Sequence, residues 1–298
     1  MATSEDLRRA IVVGVAPDPA KRSMALAWAA DEAAGRQVPL RLVHAEGVPT
    51  SGYRNTPVRP SWEEWNQALH EAGERVLEHA VGFVEDRQPQ VELSALLAEG
   101  TPEWVLREQA RDAVAVVLGS RHLGVGEVEY SPASVALPVM AHARCPVVVV
   151  PEPEYATQDP PFVVVGVDGS AHSEAAVDVA FQQAALHGAI LQALYVRRPP
   201  RFGERNDDAA DQEGYRLLSE AVAGRTASYP DVALHQEVLV GHPVEALTRA
   251  SAQARCLVVG TRGLGGFTGM LLGSVSQGVL PHAKCPVIAV PEPPKDGF

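Results

Sequence analysis

Gly260-Thr-Arg-Gly263, nine further residues and then Gly273-Ser274 give the spacing G-x2-G-x9-G-S. A second distinctive stretch, Gly166-Val-Asp168-Gly-Ser170, lies about ninety residues earlier. Glycines let a backbone turn its N–H groups toward an anion, and Gly273 keeps a β-carbon away from the place where a phosphate would approach. Ser274 stands at the expected start of a helix, where free N–H groups and the helix dipole favour phosphate. Together these suit a polyphosphate. Two other glycine-rich readings fail: no GxxxxGK[ST] occurs, and a G-x-G-x-x-G starting at Gly263 breaks at Thr268. A glycine cluster on its own reads as a surface loop. Its place after a buried strand, the full spacing and an acid at the first strand's end raise it above that. Arg262 fits either a phosphate contact or a surface ion pair.

Other reactive residue types carry less. Ten histidines include no HExxH and no close ligand pair, so core or surface roles are expected rather than metal binding. Cys145, Cys256 and Cys285 form no CxxC, and Cys145 and Cys285 each precede Pro and an apolar run, the setting of buried structural thiols in a reducing compartment. Trp62, Trp65 and Leu69 fall at helical spacing, with packing as their expected role.

The elements that position these residues come in two copies. His142-Ala-Arg-Cys-Pro-Val-Val-Val-Val-Pro-Glu-Pro153 recurs as His282-Ala-Lys-Cys-Pro-Val-Ile-Ala-Val-Pro-Glu-Pro293, identical at nine of twelve positions. Ile11-Val-Val-Gly-Val15 matches Val163-Val-Val-Gly-Val167, and Gly100-Thr-Pro matches Gly241-His-Pro. The offset falls from 152 to 140 along the chain, so the first copy carries about ten extra residues between Ala45 and Gly100. Two domains are expected, 1–151 and 162–298, joined by a proline-rich linker at 151–161. In each copy short β-branched runs alternate with helical stretches, for example a helix capped at Ser170 or Ser173 and stopped by Gly188, a strand over Val232 to Val240, and a helix beginning at Pro243. Solid apolar runs imply strands covered on both faces, hence α/β domains with parallel sheets wound by right-handed crossovers.

Composition narrows the function. A formal charge of −12 argues against nucleic-acid binding. The longest apolar runs fall far short of the roughly 20 residues of a membrane helix, and the polar N-terminus lacks a signal-peptide core, so a cytoplasmic chain is expected. The last strand of each copy, Val147 to Val150 and Pro286 to Val290, is an apolar edge that must be paired or covered, which suggests that the two copies pack against each other about a pseudo-two-fold axis and that two chains associate further as a homodimer.

With Val-Asp-Gly-Ser after strand one, Gly-x-Pro before the third helix and G-x2-G-x9-G-S before a Cys-Pro-Val strand, the chain resembles a tandem universal stress protein of the ATP-binding kind, across both copies. The resemblance implies two Rossmann-like, open-twisted five-stranded parallel sheets of order 3-2-1-4-5 with helices on both faces. It also implies that Asp168 and Val196 bracket adenine, while Val259, Gly260, Gly263, Gly273, Ser274, Val275 and Ser276 line the ribose and phosphates, with Mg2+ carried by the phosphates. Pairing of family members through the last strand supports the dimer expectation. The first copy departs from the pattern: Ala16 stands where Asp168 does, His122 replaces the second glycine, and Ala133-Ser134 replaces Gly273-Ser274. A weakened or absent site is expected there. The leading functional expectation is a nucleotide-dependent regulatory module; the alternatives are a ligand-free partner-binding module and a slow ATP hydrolase.

Overall fold

The computed structural model describes residues 10–16, 24–46, 62–120, 135–151, 155, 157–199, 207–264 and 271–292. The chain divides into two compact units, Met1–Gly119 and Ser120–Phe298. Strand and helix alternate along most of each unit, as the apolar runs demand.

In the first unit, β1 (Ile11–Gly14), β2 (Leu40–Glu46), β3 (Leu93–Glu99) and β4 (Ala115–Gly119) form parallel ladders in the order β3-β2-β1-β4. The helices α1 (Met24–Arg36), α2 (Trp62–Arg87) and α3 (Pro102–Gln109) cross between them. Ile11, Val13, Leu40, Leu42, Val116 and Val117 are fully buried, which is why these strands read as unbroken apolar runs.

The second unit opens with α4 (Ala136–His142) and β5 (Val147–Val150). It continues with β6 (Phe162–Val167), α5 (Ala171–His187), β7 (Ile190–Arg197), α6 (Asp207–Val222) and the single turn α7 (Arg225–Ser228). The last elements are β8 (Leu234–Val240), α8 (Pro243–Ala250), β9 (Cys256–Gly260), α9 (Ser274–Val279) and β10 (Val287–Val290). The strand order is β5-β10-β9-β6-β7-β8, parallel except for β5, which runs antiparallel to β10. Ser170 caps α5 by accepting from Ser173 N–H at 3.2 Å, and Gly188 closes that helix in the left-handed region at φ 58°. Pro243 begins α8 as the sequence predicts. The α5 core residue Phe181 stacks on Tyr229. Cys145, Cys256 and Cys285 are all buried, and burial pushes the Cys285 thiol up to about 12, the environment of a packing residue.

The second repeat thus has the expected order, 3-2-1-4-5, in β8-β7-β6-β9-β10. The first repeat shows 3-2-1-4 within its unit. Its fifth strand, β5, belongs to the second compact unit and registers Val149 against Val287, Val148 against Ile288 and Val147 against Ala289. Two apolar edges with unmet N–H and C=O groups satisfy each other. β10 is therefore paired on both sides within the chain, and the edge that suggested a homodimer is not free at this strand.

The insertion lies before the middle of α2. His70 Nδ1 meets Glu46 Oε1 at 2.7 Å, tying α2 to the end of β2, and Arg197 Nε donates to Asp211 Oδ1 at 2.6 Å, tying α6 to the end of β7. These ties occupy equivalent places, with the acid on the strand in the first and on the helix in the second. Trp65 and Leu69 are half-buried near the start of α2, and the Trp62 side chain lies outside the described residues. Among the described residues no helix is long and apolar enough to cross a membrane.

Helix glycines give a paired test of this packing. A β-carbon on Gly214 of α6 would lie 2.8 Å from Tyr195 Cδ1 and 2.9 Å from Val238 Cγ2, whereas one on Gly82 of α2 would meet nothing within 4 Å. Gly82→Ala is expected to raise stability by about 1 kcal/mol through helix propensity. Gly214→Ala is expected to lower it by about 1–2 kcal/mol, because overpacking outweighs the same gain. Urea midpoints of the full chain check both signs.

Candidate functional site

Parallel strands that all end on one side leave their last peptide groups and following loops together. In the second unit β6, β7 and β9 end around a cleft of about 280 Å³. All nine residues singled out in the sequence line it: Asp168 after β6, Val196 in β7, Val259 and Gly260 at the end of β9, Gly263 in the loop, and Gly273 through Ser276 at the start of α9. Pro243 and Leu247 of α8 and Leu194, Tyr195 and Arg198 of the β7 end also line it. The Gly241-His-Pro signal gave the start of α8 but not the placement of that helix against the cleft.

The ladder fixes what Val196 offers. Ile190 N–H donates to Pro161 O on the β6 side, while Leu191 N–H donates to Ala233 O and Arg197 O accepts from Gly241 N–H on the β8 side. Alternation turns the Val196 peptide groups toward β6. The last β6 residue in the ladder is Val167, opposite Tyr195, so the Val196 carbonyl faces the space beyond the strand's end.

At the other end of the cleft the nine-residue span is closed at its neck. Gly273 N–H donates to Thr261 O at 2.7 Å, and Arg262 Nε donates to Leu271 O at 3.1 Å. The Ser276 hydroxyl lies 2.9 Å from both Thr261 O and Gly273 O, and the residue is 1% exposed. Its side chain therefore fastens the neck, leaving the backbone as its only offering to a ligand. The first intrahelical bond of α9 runs from Gln277 N–H to Gly273 O, so the N–H groups of Ser274, Val275 and Ser276 precede it and need other partners.

The glycines owe their identity to the protein's own packing. A β-carbon on Gly260 would lie 2.8 Å from the carbonyl carbon of His172 at the start of α5, and one on Gly273 would lie 3.2 Å from Arg262 Cα. One on Gly263 would fall well inside van der Waals contact with Asp168 Oδ2. None of the three has a positive φ. At Gly273 the missing side chain makes room for the neck of the loop.

Asp168 is engaged on both oxygens. Ser170 N–H donates to Oδ1 at 3.0 Å, and Leu264 N–H donates to Oδ2 at 3.0 Å. His172, which the sequence did not flag, stands beside this group. Its side chain is 14% exposed, and Nε2 lies 3.9 Å from Glu292 Oε2. Burial holds its pKa below the usual 6.5, with Glu292 and Asp168 opposing and Arg262 reinforcing the shift. Among the described residues no group of three His, Cys, Asp or Glu side chains is placed to hold a metal ion.

In the first unit Ala16 is exposed, and His44 Nδ1 lies 2.8 Å from Val15 O at the corresponding strand end. Asp18, His122, Glu127, Glu129, Ala133 and Ser134, on which the expectation of a weakened first site turns, lie outside the described residues.

A lowered histidine pKa has a defined sign. The unfolded chain takes up the proton first as pH falls through 6.5, so stability drops from there toward the folded-state value. Denaturation midpoints of the full chain at pH 7.5 and 5.5 should differ less in His172→Gln than in the wild type.

The sequence pattern of the universal stress protein family matches residues 8–151 and again 162–291. A universal stress protein of Mycobacterium tuberculosis strain H37Rv is 33% identical over 293 residues, covering 95% of this chain and 96% of its own. One from Mycolicibacterium smegmatis is 34% identical over 291 residues, covering 94% and 96%. The crystal structure of a universal stress protein from Archaeoglobus fulgidus shares the fold, with a TM-score of 0.69 at 17% identity over 94% of this chain and 96% of that one. The duplicated α/β sequence, matched in both halves and along nearly its whole length, belongs to the universal stress protein family as a tandem member.

Proposed function

We propose that the second repeat binds ATP and that the bound nucleotide sets the state of a regulatory module. One observation carries this reading: a single cleft has a peptide carbonyl at one end and, at the other, first-turn amides that precede the first intrahelical bond of α9. The Val196 carbonyl accepts the exocyclic amine of adenine, and the apolar walls from Leu194, Leu247 and Val259 suit the ring. The amides of Ser274, Val275 and Ser276, with Arg262 beside them, suit phosphate oxygens. Among the described residues Arg198 and Arg262 are the cations lining the cleft, and Mg2+ is proposed to arrive bound to the phosphates and offset part of their charge.

Binding is favoured over turnover. Asp168 already accepts two backbone N–H bonds, and His172, with Nε2 3.9 Å from Glu292 Oε2, does not line the cleft. A general base needs reach to a nucleophile, and neither residue supplies it here. A cytoplasmic, homodimeric protein remains part of the proposal, with a dimer surface other than the β10 edge.

Mg-ATP at about 100 times its dissociation constant should stabilise the second unit by about 2.7 kcal/mol, a rise of about 5 to 15 °C in its unfolding midpoint. GTP should shift it less, because guanine presents an acceptor where the Val196 carbonyl needs a donor. A thermal scan on protein stripped of nucleotide checks both. No shift with millimolar Mg-ATP would leave the ligand-free partner-binding module as the better account.

A further inference from the structure

We infer that Asp168 is a positioning residue for the phosphate-binding loop rather than a reader of the base. The inference rests on the nucleotide reading above and redistributes its roles. Both carboxylate oxygens face backbone donors of the protein itself, one in the turn after β6 and one in the loop after β9, the latter 96 residues from Asp168 in sequence. An ionised carboxylate accepting backbone N–H bonds is a strong tie. Leu264 is 72% exposed, so little packing of its side chain fixes the chain there, and the contact with Asp168 is what sets the direction in which the loop leaves Gly263.

Gly263 carries the second half of the argument. Its backbone does not require glycine, since its φ is not positive, and the atom a β-carbon would strike is Asp168 Oδ2. The carboxylate and the missing side chain therefore require each other. The two repeats of this chain exchange them as a pair: Asp168 with Gly263 in the second, Ala16 with His122 at the matching positions of the first. A residue that only read adenine would place no demand on the second glycine of the loop.

The base is then read by the Val196 carbonyl, and Asp168 acts on the phosphates through the loop. ATP and adenosine titrated into the nucleotide-free full chain by calorimetry separate the roles. Asp168→Asn retains the shape but presents an amide N–H2 to one of the two donors. It should weaken ATP about tenfold or more while adenosine binding stays within about twofold. Gly263→Ala, which keeps the carboxylate, should weaken ATP in the same selective way, and should add nothing further in an Asp168→Ala background.

An equal loss of ATP and adenosine affinity in Asp168→Asn would overturn the inference, and so would a Gly263→Ala effect of the same size in both backgrounds. If the wild type bound neither ligand, the nucleotide reading would fall while the tie stayed testable. Amide hydrogen exchange in the peptide containing Gly263 and Leu264 should then be faster in Asp168→Asn than in the wild type, and an unchanged rate would overturn it.

Discussion

A peptide group taken out of water must find a partner, and the layout of this chain follows from where its strands stop supplying them. Along the sheet each rung satisfies the next. At β10 the supply ends on an apolar edge, and β5 fills it in antiparallel register. At the carboxyl end of β6 it ends while β7 continues, which turns the Val196 carbonyl toward open space. Beyond β9 the chain no longer pairs as a strand, and Thr261 O, Leu271 O and the Asp168 carboxylate take over as acceptors for Gly273, Arg262 and Leu264. The cleft is the volume left between these substitutions.

The Asp168 carboxylate illustrates how one side chain can stand in for a missing strand. It joins the turn after β6 to the loop after β9 with two bonds of 3.0 Å, linking segments that the ladder alone would leave independent. His172 follows from the same crowding: α5 begins so close to β9 that position 260 has no room for a side chain, and the imidazole is left 14% exposed with Nε2 3.9 Å from Glu292 Oε2. The glycines of the motif are thus places where the protein touches itself. Their spacing marks the points at which α5, Asp168 and the loop neck come within contact of one backbone.

Much of this was legible in the sequence. The duplication, the Ser170 cap and the Gly188 stop all rest on local pattern, and local pattern is what a sequence displays; the second repeat's strand order came from the family resemblance. The gathering of Asp168, Val196 and the loop residues around one cleft followed from the position of strand ends together with the family resemblance. The reasons behind individual residues were not legible. What Gly263 meets is set by a residue 95 positions earlier, and nothing near Gly263 announces it. The hydroxyl of Ser276 could have faced ligand or loop, and only the neck carbonyls at 2.9 Å decide it.

The reversed ties at the ends of β2 and β7 bear on how a duplicated chain assembles without confusing its halves. Glu46 with His70 and Arg197 with Asp211 occupy equivalent places, so a helix docking on the wrong repeat would be geometrically acceptable. It would not be electrically acceptable: Glu46 would face Asp211, and Arg197 would face a residue with no negative charge to offer. Tandem copies are prone to this error while folding, since each half is a plausible template for the other. Opposite polarity at matched positions penalises the mismatch without altering either correct pairing, so the sequences of the two halves encode which pieces belong together as well as what each piece becomes.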